Sequence, residues 1–143
     1  MKLGFFVKRK KPRSSIDRFW TLALLPMKKI YYLSSCDTCI RILKELQPLE
    51  GFELQDIKTQ AITETQIQEM KDRAGSYESL FSKRARLYRE RGLGTKKLSE
   101  SDYCKLILEH YTFLKRPVII LNDTIFIGNS KKVIEMAKEN IHS

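Results

Sequence analysis

Two cysteines separated by two residues are the feature of the sequence most able to do chemistry. Cys36 and Cys39 lie in the segment Ser-Ser-Cys-Asp-Thr-Cys, between an apolar, aromatic run and a helical pattern. At the first turn of a helix, unpaired backbone N–H groups favour the thiolate, which is the nucleophilic form of cysteine. Positions i and i+3 adjoin on a helix, so Cys39 is placed to attack a mixed disulfide formed on Cys36. The spacing predicts thiol–disulfide chemistry, with Cys36 as nucleophile and Cys39 as resolving thiol.

Two other interpretations of the pair are a structural one and a zinc site. Small buried cysteines without chemistry are common, but two at this spacing in a βαβ context are typical of a redox motif. Zinc requires four ligands, and the remaining candidates Cys104, His110 and His142 are not paired at ligand spacing. We therefore expect no metal. Cys104 falls on the apolar stripe of a predicted helix and is expected in the core.

Composition limits the class of protein. The 143 residues are 42% hydrophobic, and no apolar run approaches the length of a membrane span. Three cysteines are too few for a disulfide scaffold and favour a reducing compartment, by default the cytoplasm. The net charge is +10, of which residues 1–26 supply +6 through seven basic residues against Asp17. The remaining +4 is ordinary for a small domain and gives no case for direct nucleic-acid binding.

The first 26 residues are predicted to be a basic extension outside the fold. They show neither a helical period nor a strand alternation, and their apolar part is too short for a secretion signal. Our hypothesis is a start codon assigned too early, because Met27 directly precedes the first predicted strand. The alternatives are a disordered basic arm and a membrane-surface segment that uses the apolar residues of 19–25.

The rest of the chain, 27–143, is predicted to be one α/β domain. Strands are expected at 29–33, 52–57, 118–121 and 125–127. Helices are expected from a cap at Ser34 or Ser35 to about Gly51, from a Thr63 capping box to Gly75, and over 130–140. Between about 76 and 115 the apolar spacing is helical throughout, including a helix over 99–113. The order is βαβ…ββα, a mixed sheet with an all-helical insert.

The residues in these elements resemble the ArsC, Spx and YffB family of arsenate reductase-like proteins, which has a thioredoxin-like fold. The resemblance covers 28–141 and rests on the segments YYLSSCDTC, SLFSKRARLYRERGL, LKRPVII and IGNSKKVIEM. It implies that Cys36 is the reactive thiol and that Arg116, before a cis Pro117, holds an anionic group. Arg84 is a second candidate for the same pocket. It also suggests glutathione and a glutaredoxin-type protein as the reductant.

The sequence departs from the arsenate reductases of this family in its anion-binding residues. Those proteins hold the oxyanion with three arginines. Only one of the three has a clear counterpart in this sequence, and that counterpart is Arg116. Gly128 stands where an arginine of the late hairpin is expected. Asp37 places a negative charge beside Cys36, which opposes a bound arsenate dianion. These features resemble the Spx and YffB branches more closely.

The Spx-like members suggest an alternative function, a redox-sensing transcription regulator that binds the RNA polymerase alpha subunit. In that role Cys36 and Cys39 are the switch and Arg84 fits the pattern, whereas Ile40 replaces a residue that is commonly basic. The basic run over 83–97 could bind an acidic partner, but we favour a solvated helix face.

We therefore predict a cytoplasmic, monomeric thiol-dependent oxidoreductase with a redox-active disulfide between Cys36 and Cys39. Arg116 and Arg84 are the predicted anion-binding residues. No metal, organic cofactor or membrane is expected, and glutathione is the expected co-substrate.

Overall fold

A computed structural model of the chain describes residues 6–8 and 27–143. The strands are β1 (Phe6–Lys8), β2 (Lys28–Tyr32), β3 (Glu53–Asp56), β4 (Val118–Leu121) and β5 (Thr124–Ile127). The helices are α1 (Asp37–Glu45), α2 (Glu64–Ala74), α3 (Arg86–Glu90), α4 (Glu100–Glu109) and α5 (Lys131–Ile141). Short 3-10 turns occur at Glu78–Leu80, Leu93–Thr95 and Tyr111–Phe113. None of the described helices is long and apolar enough to cross a membrane.

The strands form one mixed sheet in the order β1-β5-β4-β2-β3. β2 pairs in parallel with β3 through α1, whereas β4 pairs antiparallel with both β2 and β5. The sequence predicts this βαβ…ββα mixed sheet, and the structure confirms it. β2 is the first strand of the βαβ unit, and its carboxyl end leads directly into the cysteine segment.

The two faces of the sheet are covered by different helices because successive strand residues point to opposite sides. Ile30 and Ile119 belong to a cluster with buried residues of α1 and α5, among them Ile42 and Val133. Buried residues of the opposite face, such as Tyr31, pack with α2 and α4 in a larger cluster. The resulting three-layer arrangement holds the β2–α1 connection at the edge of a rigid sheet.

The helix boundaries agree with the sequence where capping boxes are present. Thr63 and Gln66 form the predicted capping box of α2, and Gly75 ends that helix with φ of 95°. The predicted start of α1 is wrong by one or two residues, because its N-cap is Cys36 and not Ser34 or Ser35. α1 also stops at Glu45, well before Gly51, since a proline at position 48 cannot continue the helix.

The insert over about 76–115 differs in detail from a continuous series of helices. It contains one ten-residue helix, one five-residue helix and three 3-10 turns. Between them, Phe81 forms an antiparallel bridge with Leu114, and Ser82 N–H donates to the Phe113 carbonyl at 2.7 Å. The apolar spacing reflects buried residues of short turns, such as Leu80 and Leu93, and not one unbroken helical face.

Residues 6–8 depart from the prediction that the first 26 residues lie outside the fold. Their backbone pairs antiparallel with β5 as an edge strand, with Phe6 opposite Phe126 and Lys8 opposite Thr124. The pairing is a backbone interaction that the side-chain pattern did not reveal. The hypothesis of a start at Met27, and the interpretations of 9–26, lie outside the described residues.

Candidate active site

Cys36 is the N-cap residue of α1 and follows the carboxyl end of β2. Its N–H donates to the Leu33 carbonyl at 3.0 Å, and its own carbonyl accepts from Ile40 N–H at 3.1 Å. The side chain is half-buried and makes no capping hydrogen bond. The sulfur therefore stands at the amino end of a nine-residue helix, where free N–H groups and the helix dipole favour a negative charge.

Cys39 lies one turn further along α1 and faces the core. It is 1% exposed, and neither Cys36 nor Cys39 is engaged in a disulfide. Burial raises the pKa of Cys39 to about 11, and a hydrogen bond with Cys36 and the charge of that residue act in the same direction. A backbone hydrogen bond from Leu33 and the charge of Arg116 oppose the rise. Cys39 is therefore a protonated thiol at neutral pH, in contact with the more accessible Cys36.

Asp56 anchors the segment that precedes Cys36, a role that the sequence analysis missed. At the end of β3, its Oδ1 accepts from the Ser34 N–H at 3.2 Å and its Oδ2 accepts from the Ser34 hydroxyl at 2.5 Å. Oδ1 also accepts from the Lys58 N–H at 3.2 Å. These bonds, the Ser34 hydroxyl first, hold the pKa of Asp56 below its usual range. Because parallel strands end at the same edge of a sheet, an acidic residue ending β3 was a usable signal.

The Arg116 guanidinium makes hydrogen bonds to backbone carbonyl groups through Nη1, whereas its Nε has no partner within the described residues. Nη1 donates to three carbonyl oxygens within 3.4 Å, those of Tyr111, Thr112 and Leu114. Nε is buried and makes no hydrogen bond within the described residues. The following bond to Pro117 is cis, the geometry that the resemblance implies. Part of the guanidinium fixes the loop, whereas Nε is buried without a partner among the described residues.

A cleft of about 740 Å³ brings Arg116 together with Arg84. Its lining includes four basic side chains and one acidic side chain among polar and apolar residues: Ser76, Glu78, Ser79, Phe81, Ser82, Lys83, Arg84, Leu114, Lys115, Arg116, Ile127, Gly128, Asn129 and Ser130. Lys83 pairs with Glu78 at 3.2 Å, and the Arg84 side chain is exposed. The cysteines do not line this cleft, although the charge of Arg116 reaches Cys39.

Gly128 lies in the cleft at the position where the family resemblance led us to expect an arginine. Its φ is 95°, in the left-handed region that side chains other than glycine rarely adopt. No atom lies within 4 Å of where a Cβ would be, so the backbone conformation and not crowding requires glycine here. The third arginine has no equivalent at this position.

The other residues considered as zinc ligands do not lie together. Cys104 is half-buried on α4 and packs at the edge of the larger core cluster, where it hydrogen-bonds with Tyr77. His110 Nδ1 accepts from the Thr112 N–H, and His142 lies 3.2 Å from the carbonyl oxygen of Pro48. Among the described residues, no three His, Cys, Asp or Glu side chains are grouped so that they could hold a metal ion.

Comparisons with known proteins agree with this geometry. Residues 31–137 match the model of the ArsC family. No curated protein matches the sequence. Among solved structures, a possible arsenate reductase from Streptococcus mutans UA159 is 26% identical, with a TM-score of 0.60 over 73% of this chain and 92% of its own. A Staphylococcus aureus COL protein is 25% identical, with a TM-score of 0.64 over 77% of this chain and 97% of its own. Arsenate reductase from Vibrio cholerae, 20% identical, shares the fold with a TM-score of 0.62 over 80% of this chain and 97% of its own.

Proposed function

The chain belongs to the ArsC family, and we propose that it is a thiol-dependent oxidoreductase in which Cys36 attacks and Cys39 resolves. One observation carries the proposal: a half-buried sulfur at a helix N-terminus contacts a fully buried thiol one turn away. The two cysteines have the same chemistry in solution but opposite environments in the fold. This asymmetry suits an order of events in which the accessible sulfur meets the substrate first.

The proposed reaction is thiol–disulfide exchange in two steps. The Cys36 thiolate attacks one sulfur of a substrate disulfide, forms a mixed disulfide and expels the other half as a thiolate. Cys39 then loses its proton and attacks the Cys36 sulfur. The Cys36–Cys39 disulfide forms, the second half of the substrate leaves as a thiolate, and that thiolate takes up a proton. The substrate gains two electrons, and two equivalents of an external thiol restore the reduced protein.

The cleft beside Arg116 supports a thiol that carries carboxylates as the reductant. Its volume of about 740 Å³ lies in the range of sites for organic molecules and far exceeds what a tetrahedral oxyanion needs. Arg116 and the exposed Arg84 both line the cleft and supply positive charge for carboxylates. Glutathione has this chemistry, and a glutaredoxin-type protein is the proposed partner in recycling.

Arsenate is a less suitable substrate by the same reasoning. Because Gly128 stands where an arginine is expected, the cleft has one cation fewer. Asp37 adds a negative charge in the first turn of α1. Both changes weaken binding of a dianion near Cys36. We expect turnover of small disulfides by glutathione to exceed glutathione-dependent reduction of arsenate.

A turnover assay tests the proposal. Reduced full-length protein is mixed with glutathione and a small disulfide, and glutathione oxidation is followed in wild type, Cys36→Ser, Cys39→Ser and Cys104→Ser. We expect Cys36→Ser to abolish turnover and Cys104→Ser, as the matched control, to retain it. Unchanged turnover in Cys36→Ser would overturn the proposal.

The regulator alternative predicts binding without turnover. Lys83 and Arg84 are exposed beside the cleft, as a surface for a protein partner requires. A pull-down with the RNA polymerase alpha subunit, under reducing and oxidising conditions, separates the two functions. Redox-dependent capture together with no turnover would favour the regulator.

The proposed oxidoreductase is also expected to be cytoplasmic and monomeric. Sedimentation checks the monomeric state.

A further inference from the structure

The turn that presents Cys36 has few contacts of its own. Leu33 accepts from the Cys36 N–H, which closes a four-residue turn with Ser34 and Ser35 at its centre. Both serines are exposed, so no burial holds them in place. The turn also lacks glycine and proline, the residues that most restrict or favour such a bend. Its conformation must depend on hydrogen bonds.

Asp56 supplies those bonds from a rigid element. It ends β3, where it stands opposite Tyr32 in the parallel pairing, and the next residue, Ile57, donates to the Tyr32 carbonyl at 2.9 Å. From this position its two carboxylate oxygens hold both the N–H and the hydroxyl of Ser34. A carboxylate that accepts two bonds from one residue fixes orientation as well as distance.

We propose that Asp56 is a positioning residue for Cys36, acting through Ser34, and this inference rests on the proposed role of Cys36 as the nucleophile. The carboxylate ties the middle of the turn to the end of β3. The turn in turn sets where the Cys36 sulfur stands relative to the free N–H groups of α1. Loss of the tie lets the sulfur move away from those donors and lowers its reactivity, because small displacements of a reacting atom have large effects on rate.

The charge of Asp56 and its hydrogen bonds to Ser34 predict opposite results when the side chain is removed. A negative charge near a sulfur disfavours the thiolate, so an effect of charge alone would speed the reaction of Cys36. Positioning predicts that the reaction slows. Asp37 gives the matched contrast, because it lies in the first turn of α1 and makes no hydrogen bond to Ser34 within the described residues. Asp37→Ala is therefore expected to speed alkylation of Cys36, and Asp56→Ala to slow it.

The experiment measures alkylation of Cys36 by iodoacetamide at pH 7 in the reduced full-length protein, with the modified residue identified by tandem mass spectrometry. We expect Asp56→Ala, which removes both bonds to Ser34, to slow the reaction about threefold to tenfold. Ser34→Ala is expected to slow it less, since the N–H bond remains, and Ser34→Thr is expected to restore it. The double variant Ser34→Ala with Asp56→Ala is expected to be no slower than Asp56→Ala alone.

Two controls separate positioning from loss of the fold and from failure of the proposed function. Cys104 alkylation should stay close to wild type in Asp56→Ala, whose thermal midpoint should remain well above the assay temperature, and Ser34→Ala repeats the test if Asp56→Ala does not fold. If wild-type Cys36 reacts no faster than Cys36 in the urea-unfolded protein, the proposed nucleophile and this inference both fail. If wild-type Cys36 reacts fast and Cys36 of Asp56→Ala reacts equally fast or faster, only the positioning role is overturned.

Discussion

The two cysteines of the site lie in different environments. Cys36 is half-buried at the start of α1, whereas Cys39 is 1% exposed and packs in the core. Burial holds the Cys39 thiol in its neutral form, and the proposed order of attack follows from this difference.

This asymmetry predicts selective alkylation. With its pKa raised to about 11, Cys39 is ionised to about one part in a thousand at pH 8. Iodoacetamide at pH 8 should therefore modify Cys36 more than tenfold faster than Cys39, as measured by time-resolved peptide mass spectrometry. Equal rates for the two residues would contradict the assignment of attacking and resolving thiols.

The role proposed for Arg116 predicts that substitution of this residue weakens binding of the reductant. Arg116→Lys keeps a positive charge but loses the planar guanidinium, so we expect the KM for glutathione to rise about tenfold. Lys115→Ala, a neighbour in the same cleft, is expected to raise the KM by about twofold. Steady-state kinetics on both variants provides the comparison, and a larger effect at Lys115 would refute the role given to Arg116.

At the scale of the elements, α4 depends on a capping box at its start. Ser99 accepts from the Asp102 N–H, and Asp102 accepts from the Ser99 N–H at 2.9 Å. Ser99→Ala should lower the free energy of unfolding in urea by about 1 kcal/mol. Ser101→Ala, an exposed change in the same helix, should leave it within about 0.5 kcal/mol. Similar losses in both variants would show that the cap is not the cause.

Elements set by local interactions were predictable from the sequence. The Thr63 and Ser99 caps, the apolar runs of β2 and β4 and the tight turn before β5 each specify their own structure over a few residues. The start of α1 was not predictable in the same way. Ser34 is a good N-cap residue, but its hydroxyl bonds Asp56 across the sheet, so the cap passes to Cys36. A contact between residues 22 apart overrode the local preference.

At the scale of the whole molecule, ionisable groups with shifted pKa values make the free energy of unfolding depend on pH. The pKa of Asp56 is lower in the fold than in the unfolded chain, so its contribution is present above about pH 4 and is lost as the pH falls through the folded value. The pKa of Cys39 is raised, so its contribution is present below about pH 8.5 and is lost as the pH rises toward 11. Burial also raises the pKa of Tyr31, which adds to the alkaline loss.

We therefore expect the free energy of unfolding to be highest between about pH 5 and 8. Urea titrations from pH 3 to 11 measure this profile. Cys39→Ser should flatten part of the decline between pH 8.5 and 11 and leave the acid side unchanged. A stability that increases over that alkaline range would show that Cys39 and Tyr31 are not held in their neutral forms.

The cleft is a feature of the whole molecule that the sequence did not predict. Its walls come from segments around 76–84, 114–116 and 127–130, which are brought together by the sheet and the Phe81–Leu114 bridge. The cysteine pair was identifiable because its spacing is local. The cleft and the pairing of residues 6–8 with β5 depend on contacts distant in sequence, and no periodic pattern marks them.

Trapping of the mixed disulfide distinguishes an attacking Cys36 from a resolving Cys39. Reduced wild type, Cys36→Ser and Cys39→Ser proteins are treated with oxidised glutathione, and intact and peptide masses are recorded. We expect Cys39→Ser to accumulate one glutathione on Cys36. We expect wild type to end with a Cys36–Cys39 disulfide and no glutathione, and Cys36→Ser to form neither product. Glutathione that persists on wild-type Cys36, or that attaches first to Cys39 or Cys104, would contradict the assignment of Cys36 as nucleophile and Cys39 as resolving thiol.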